Sequence, residues 1–330
     1  MMVPILIGGA VVTGLYGVVK GALGAKDHSK ASELNGSAIS VVDAANRRVD
    51  GQRKATNAML EDYGARKLRA FNGTISDFLE VFGRLKNVEL VGTPELDKLN
   101  DGDFSTTTLQ GLRDDYALLK SSGLGLGSGL TGGAAMAFGA YNGTMLLATA
   151  STGTAISTLS GAAATNATLA WLGGGSLAAG GGGMAMGAMV LGGLVAGPAL
   201  AIFGHIVGNK GEEALNNARS NMEQAKVVKE QASVMCGKLE AVERVTSLAN
   251  TTFSKISSKL RHGVRDLKGV IDSNGEDYAT YSPEAKETVF RSVKFAQLLK
   301  AMIDTPILDE EGNLVLSTEK RVEEVVSLMA

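Results

Sequence analysis

Apolar positions recur at helical spacing in two long stretches, which flank a region that carries no charge. In the first stretch, residues 26–90, Leu68, Phe71, Ile75, Phe78, Phe82 and Leu85 fall 3, 4, 3, 4 and 3 residues apart. That spacing is the seam of a coiled coil or a two-helix hairpin. Leu34, Ala38, Val42, Ala45 and Val49 carry a thinner stripe upstream. In the second stretch, residues 211–271, the residues Ala225, Val228, Ala232, Met235, Leu239 and Val242 repeat the same spacing. Phe253, Ile256, Leu260, Val264 and Leu267 continue it with slight drift. A helix of the first stretch's length would be on the order of 90 Å long, too long to bury its seam without a partner of similar length. The economical arrangement is an antiparallel pair of these helices with the intervening region at one tip.

That intervening region, residues 121–209, has no Asp, Glu, Lys or Arg in 89 residues and holds 23 of the chain's 43 glycines. Each glycine costs roughly 1 kcal/mol relative to Ala in an exposed helix, so a solvated helix with this composition would lose on the order of 20 kcal/mol. The glycines are therefore expected to serve close backbone approach, inside a protein core or between helices in a bilayer. The block breaks into a Gly-rich entrance at 123–133, an apolar segment at 134–150 and a Ser, Thr and Asn-rich linker at 151–168. Two glycine runs follow, and then an apolar helix at 184–207 that Pro198 would kink. The insertion preference of that helix is only about −3 to −5 kcal/mol before its glycines, Pro198 and His205 subtract from it. A segment so marginal can rest in a protein-packed state and later enter lipid. The residues expected to insert are Phe138, Leu146, Leu147, Trp171, Met184, Met189, Leu191, Leu194, Val195, Pro198, Ile202 and Phe203.

The ends of the chain complete an organisation into residues 1–25, 26–120, 121–209, 210–272 and 273–330. Residues 1–25 hold one charge, Lys20, and lack the basic start of a secretory signal. They read as an apolar helix, either a borderline membrane span or one packed on the central block. Turn residues from Gly92 to Asp103 lead to a connector helix at 107–120 with the stripe Leu109, Leu112, Tyr116 and Leu119. Asn274 and Gly275 end the second long helix, and Ser282 with Pro283 starts another through Ile303. Residues 307–308 and 314–316 flank an acidic turn as a tiny β-hairpin, without the alternating oxygen ligands of an EF-hand. A last helix runs over 318–329. The fold class is all-α: an elongated antiparallel coiled-coil or helical bundle, with a Gly-rich hydrophobic helical hairpin at one end.

Charge and chemistry change this picture little. A net charge of −2 with mixed signs along helical faces gives no nucleic-acid footprint. Cys236 is the only cysteine and, beside the seam, reads as a small core residue. His28, His205 and His262 have no metal-ligand spacing. The glycine runs lack the strand before and the Lys-Ser or Lys-Thr after that a nucleotide loop needs, and no Gly-X-Ser-X-Gly occurs. No enzymatic activity, cofactor or metal is expected.

The run at 151–204 resembles the hallmark of a broad group of poorly characterised bacterial glycine- and alanine-rich helical proteins. These share an apolar N-terminus, long helices, a central hydrophobic block and a C-terminal piece similar to residues 304–314. More loosely, the architecture resembles α-helical pore-forming toxins, colicin pore domains and the apolipoprotein L family. The bacterial group implies no function, but the uncharged block between long helices points to a protein that acts on membranes after oligomerising, at the inner membrane or in a cytoplasm with membrane association, and analogy alone puts it in bacterial defence or toxicity. Its partners would be a lipid bilayer and further copies of itself, with no nucleic acid. The other reading is a soluble helical scaffold that binds a protein partner through its long helices and packs the block as a core.

Overall fold

A computed structural model describes residues 25–88, 109–121, 135, 138–140, 211–309 and 313–329. These are helical nearly throughout. The elements are α1 (Ala25–Ala70), a π-helical turn (Phe71–Ile75), α2 (Ser76–Phe82), α3 (Leu109–Ser121), α4 (Gly211–Asn274), α5 (Pro283–Asp304) and α6 (Thr318–Leu328). The chain divides into two compact units, Met1–Lys54 with Val195–Glu240 and Ala55–Leu194 with Ala241–Ala330.

In the first unit, small residues fill the seam. Ala38, Val42, Ala45 and Val49 of α1 pack with Ala225, Val228, Ala232 and Cys236 of α4, and Val41, Met222 and Met235 lie at the edge of this cluster. Cys236, not Met235, takes the buried core position. Asn221 donates to Asn35 at 3.0 Å. The partner numbers rise together, so the two segments run parallel and not antiparallel as the length match implied.

The second unit has the same register. Thr56 donates to Glu243 at 2.8 Å, Asn250 to Asp62 at 3.0 Å and Asn87 to Asp277 at 3.0 Å. A parallel pair cannot be closed by a hairpin turn; it needs a return crossover, which residues 83–210 supply. The central block lies within that connection, and its expected helical hairpin falls outside the described residues.

Local chemistry explains where these helices bend and stop. The π-helical turn falls on Phe71-Asn72-Gly73-Thr74-Ile75, where Gly, Asn and β-branched residues hold the α-helix weakly. Leu68, Phe71, Ile75, Phe78 and Phe82 are nevertheless all buried, and Leu85, beyond the end of α2, is half-buried. In α4, Val228, Leu239, Val242, Phe253, Ile256, Leu260, Val264 and Leu267 are buried. Gly275 closes α4 with φ of 80°, and its N–H donates to the Ile271 carbonyl at 2.9 Å. At the other end of the next loop, Ser282 Oγ accepts from the Ala285 N–H at 3.3 Å and Pro283 occupies the first turn of α5.

After α5 the expected β-hairpin is reduced to an isolated bridge, with no strand on either side among the described residues. Asp309 N donates to the Asn313 carbonyl and Val315 N to the Ile307 carbonyl, with one bridge between Leu308 and Leu314. The expected helix over residues 1–25 and most of the block lie outside the described residues. So do Leu146, Leu147, Trp171, Met184, Met189, Leu191, Leu194, Val195, Pro198, Ile202 and Phe203.

Candidate functional site: where the block meets the helices

Beyond Ser121 at the end of α3, the described part of the uncharged block is Ala135 and residues 138–140, and it is packed into the second unit. Ala135, Phe138 and Ala140 are buried. The contact depends on two glycines. A Cβ placed on Gly64 of α1 would lie 1.7 Å from the Ala135 carbonyl oxygen and 2.6 Å from the Gly139 nitrogen. A Cβ on Gly139 would lie 1.9 Å from the Leu60 carbonyl oxygen. Real side chains cannot occupy either position, so the backbones touch only because both residues are glycine. This is the close approach that the composition of the block demanded, here made against α1.

Phe138 then reaches an aromatic and cationic cluster. Its ring meets Phe71 edge-on at 6.3 Å between centroids. Lys67 is fully buried, with its Nζ 4.5 Å from the Tyr63 ring centroid and 5.9 Å from that of Phe138. Lys67 Nζ donates to the Phe138 carbonyl at 3.4 Å and to the Ile303 carbonyl at 3.3 Å. Burial lowers its pKa to about 7, against a partial counter-effect from the Asp304 charge. A neutral amine has two N–H groups, which match the two carbonyls; a third, charged donor would be left in an apolar cage.

The remaining walls are fixed by hydrogen bonds. Tyr63 Oη donates to the Met302 carbonyl at 3.3 Å, and burial pushes its phenol pKa up. Its ring meets Phe253 of α4 edge-on at 6.0 Å. The Ile307 and Leu308 N–H groups both donate to the Ala140 carbonyl, at 2.8 and 3.0 Å. The segment is therefore held at both ends, by Gly64 and Lys67 on one side and by the chain after α5 on the other.

Below Lys67 lies a buried ion cluster. Lys300 Nζ is 2.9 Å from Asp115 of α3 and 2.5 Å from Asp304, and its side chain is 4% exposed. Burial works against the charged Lys300, but the two carboxylates outweigh it and hold its pKa above the ordinary value. Asp304 is shifted up, first by burial and also by Asp115, despite the opposing pull of Lys300.

Of the residues expected to enter a membrane, the structure places Phe138 alone, and it lies in a protein core. Sequence reading missed Gly64, Tyr63, Lys67, Asp115, Lys300 and Asp304. A signal for Lys300 exists: it interrupts the apolar run from Leu298 to Ile303 and has Asp304 four residues on. Lys67 is flanked by Leu60, Tyr63, Leu68 and Phe71, a face too wide for a two-helix seam.

Among the described residues no group of His, Cys, Asp and Glu is placed to hold a metal, and no helix is long and apolar enough to cross a membrane. Compared with protein-family models, with curated proteins and with solved structures, the chain matches none.

Proposed function

We propose that the protein is a membrane-acting helical protein that keeps its glycine-rich block docked on its own helices until the block is released to a bilayer. The observation that carries this reading is the dock itself. A block without charge over 89 residues is held at Ala135 and residues 138–140 by two glycines, one buried lysine and two amide hydrogen bonds. Such a contact tolerates no side chain, yet its polar part depends on the proton of Lys67. Charging Lys67 inside this cage costs desolvation free energy, which favours states in which Lys67 has reached water and the segment at Phe138 has left its dock. Release then exposes an apolar chain with marginal insertion preference, and association of several copies would gather enough of it to perturb a bilayer. Bacterial defence or toxicity is the setting that the analogy with helical toxins offers.

The burial of Phe138 and Ala140 in protein supports a second reading, a helical scaffold in which the block is permanently core. Liposome assays separate the two. The membrane reading expects the full chain to co-sediment with vesicles and release a trapped dye, more so below pH 7. If the protein stays in the supernatant and releases no dye at any pH, the scaffold reading stands. Deleting residues 121–209 should abolish release. A deletion variant that still binds vesicles would move the anchor to residues 1–25.

A further inference from the structure

A groove of about 400 Å³ on the second unit is lined by Arg66 of α1 and by Asn250, Thr251, Ser254, Lys255 and Ser258 of α4. Five of these residues recur along one face of α4, at i, i+1, i+4, i+5 and i+8, so they form a continuous polar strip beside Arg66. Every lining side chain carries a hydrogen-bond donor, two are cationic and none is acidic.

The nearest carboxylate is already committed. Asp62 accepts from Asn250 at 3.0 Å, pairs with Arg66 at 3.3 Å and lies 3.7 Å from Arg69. Partial burial pulls its pKa upward, but the bonds from Asn250 and Arg66 and the charges of Arg66 and Arg69 outweigh this and hold it below the usual range. One acid among Arg66, Arg69 and Lys255 leaves the groove with excess positive charge in a chain whose net charge is −2.

Arg66 Nη1 donates to Ser254 Oγ at 3.5 Å, which ties the guanidinium to the row of hydroxyls on α4. Arg66, Lys255 and the hydroxyls of Thr251, Ser254 and Ser258 together bring positive charge and donors to the groove. A phosphate group, with its negative charge and several acceptor oxygens, matches that set.

We infer that this groove is a binding site for a phosphate group, with Arg66 and Lys255 as its cationic contacts and Ser254, Ser258 and Thr251 as hydroxyl donors. On the proposed membrane function, the phosphate is that of an acidic lipid headgroup; the same chemistry also accepts free phosphate.

The test uses the full-length chain. Inorganic phosphate, titrated calorimetrically at low ionic strength, should bind saturably in the millimolar range expected for exposed charge contacts. Vesicles containing phosphatidic acid should bind more tightly than phosphatidylcholine vesicles if the lipid is the source, and equally if it is not. R66Q/K255Q should weaken whichever ligand binds at least tenfold while circular dichroism stays unchanged. In the unmodified protein, phosphate or the acidic vesicles should reduce acetylation of Lys255 several-fold and leave the exposed Lys268 unaffected, a readout that does not depend on the variant folding. Unchanged binding in the folded variant, or no Lys255 protection by phosphate or acidic vesicles, would overturn the inference. Phosphate binding without dye release would sink the membrane function and leave the site standing.

Discussion

Gly64 and Gly139 meet backbone to backbone, and neither has room for a single added carbon. A Cβ on either residue would fall within 2 Å of a main-chain carbonyl oxygen of the other segment. Gly269 in α4 has nothing within 4 Å of its Cβ position, so it measures the ordinary helix preference for Ala. G64A and G139A should each destabilise the second unit by about 3 kcal/mol through forced backbone movement, and lower Tm by roughly 10 °C. G269A should instead stabilise it by about 0.5–1 kcal/mol. Calorimetric melts of the three variants decide this; equal effects at all three positions would mean that the close approach does not exist.

Lys67 should make stability depend on pH in a stated direction. Its native pKa of about 7 lies below the ordinary lysine value of 10.5. Between those two values the unfolded chain holds a proton that the native chain lacks, so stability rises with pH across that window. Below pH 7 both states are protonated and that gain is absent. The groups facing Lys67 are Tyr63, Asp304 and, through Asp304, Lys300 and Asp115, of which none but Asp304 and Lys300 belongs to α5. K67M should flatten the rise in Tm between pH 7 and 9 relative to the native chain. A variant with the same slope would remove Lys67 from the account.

The ion cluster at Lys300 should behave as a buried one. K300M leaves Asp115 and Asp304 close together in a dry site, which costs about 3–5 kcal/mol. D50N, at an exposed pair with Arg53, should change stability by no more than about 0.5 kcal/mol. Urea denaturation at neutral pH measures both. Similar values for the two variants would show that water reaches Lys300.

Cys236 should be inert in the native state. It is fully buried among alanines and valines of the first unit, and its expected role as a small core residue agrees with that position. A thiol reagent should label it only as the protein unfolds, and C236S should cost about 1–3 kcal/mol for a hydroxyl without a partner. Rapid labelling under native conditions would contradict the packing of α1 on α4.

Much of the helical frame was legible because burial repeats at 3 and 4 residues. Leu68 to Phe82 and Phe253 to Leu267 are core where the spacing put them, and Ser282, Pro283 and Gly275 act as written. Strand direction in a seam is a different matter. An apolar stripe fits a partner read in either direction, so nothing in Ala38, Val42 or Ala225 distinguishes a parallel pair from the antiparallel one expected. Leu85 fell outside the core because the helix ends at Phe82, and Cys236 displaced Met235 because the real turn drifts from a strict heptad. The dock was foreshadowed by composition alone. Glycine abundance demanded close backbone contact somewhere, but pairing Gly139 with Gly64 required two segments far apart in sequence to meet. Lys67 was invisible because a lysine on a charged helix is ordinarily solvated, and Phe138 of the block and Ile303 of α5, both distant in sequence, close the cage around it.

Fluorescence of Trp171 offers the most direct measurement of the central claim, because it is the chain's one tryptophan and lies in the uncharged block. Full-length protein is mixed with vesicles whose acyl chains carry bromine, a contact quencher. If the block leaves its dock and enters lipid, Trp171 emission should be quenched strongly below pH 7, and G139A, which loosens the dock, should extend quenching to higher pH. Emission unchanged by brominated lipid at every pH, in the native chain and in G139A alike, would show that the block is permanent core and would contradict the account.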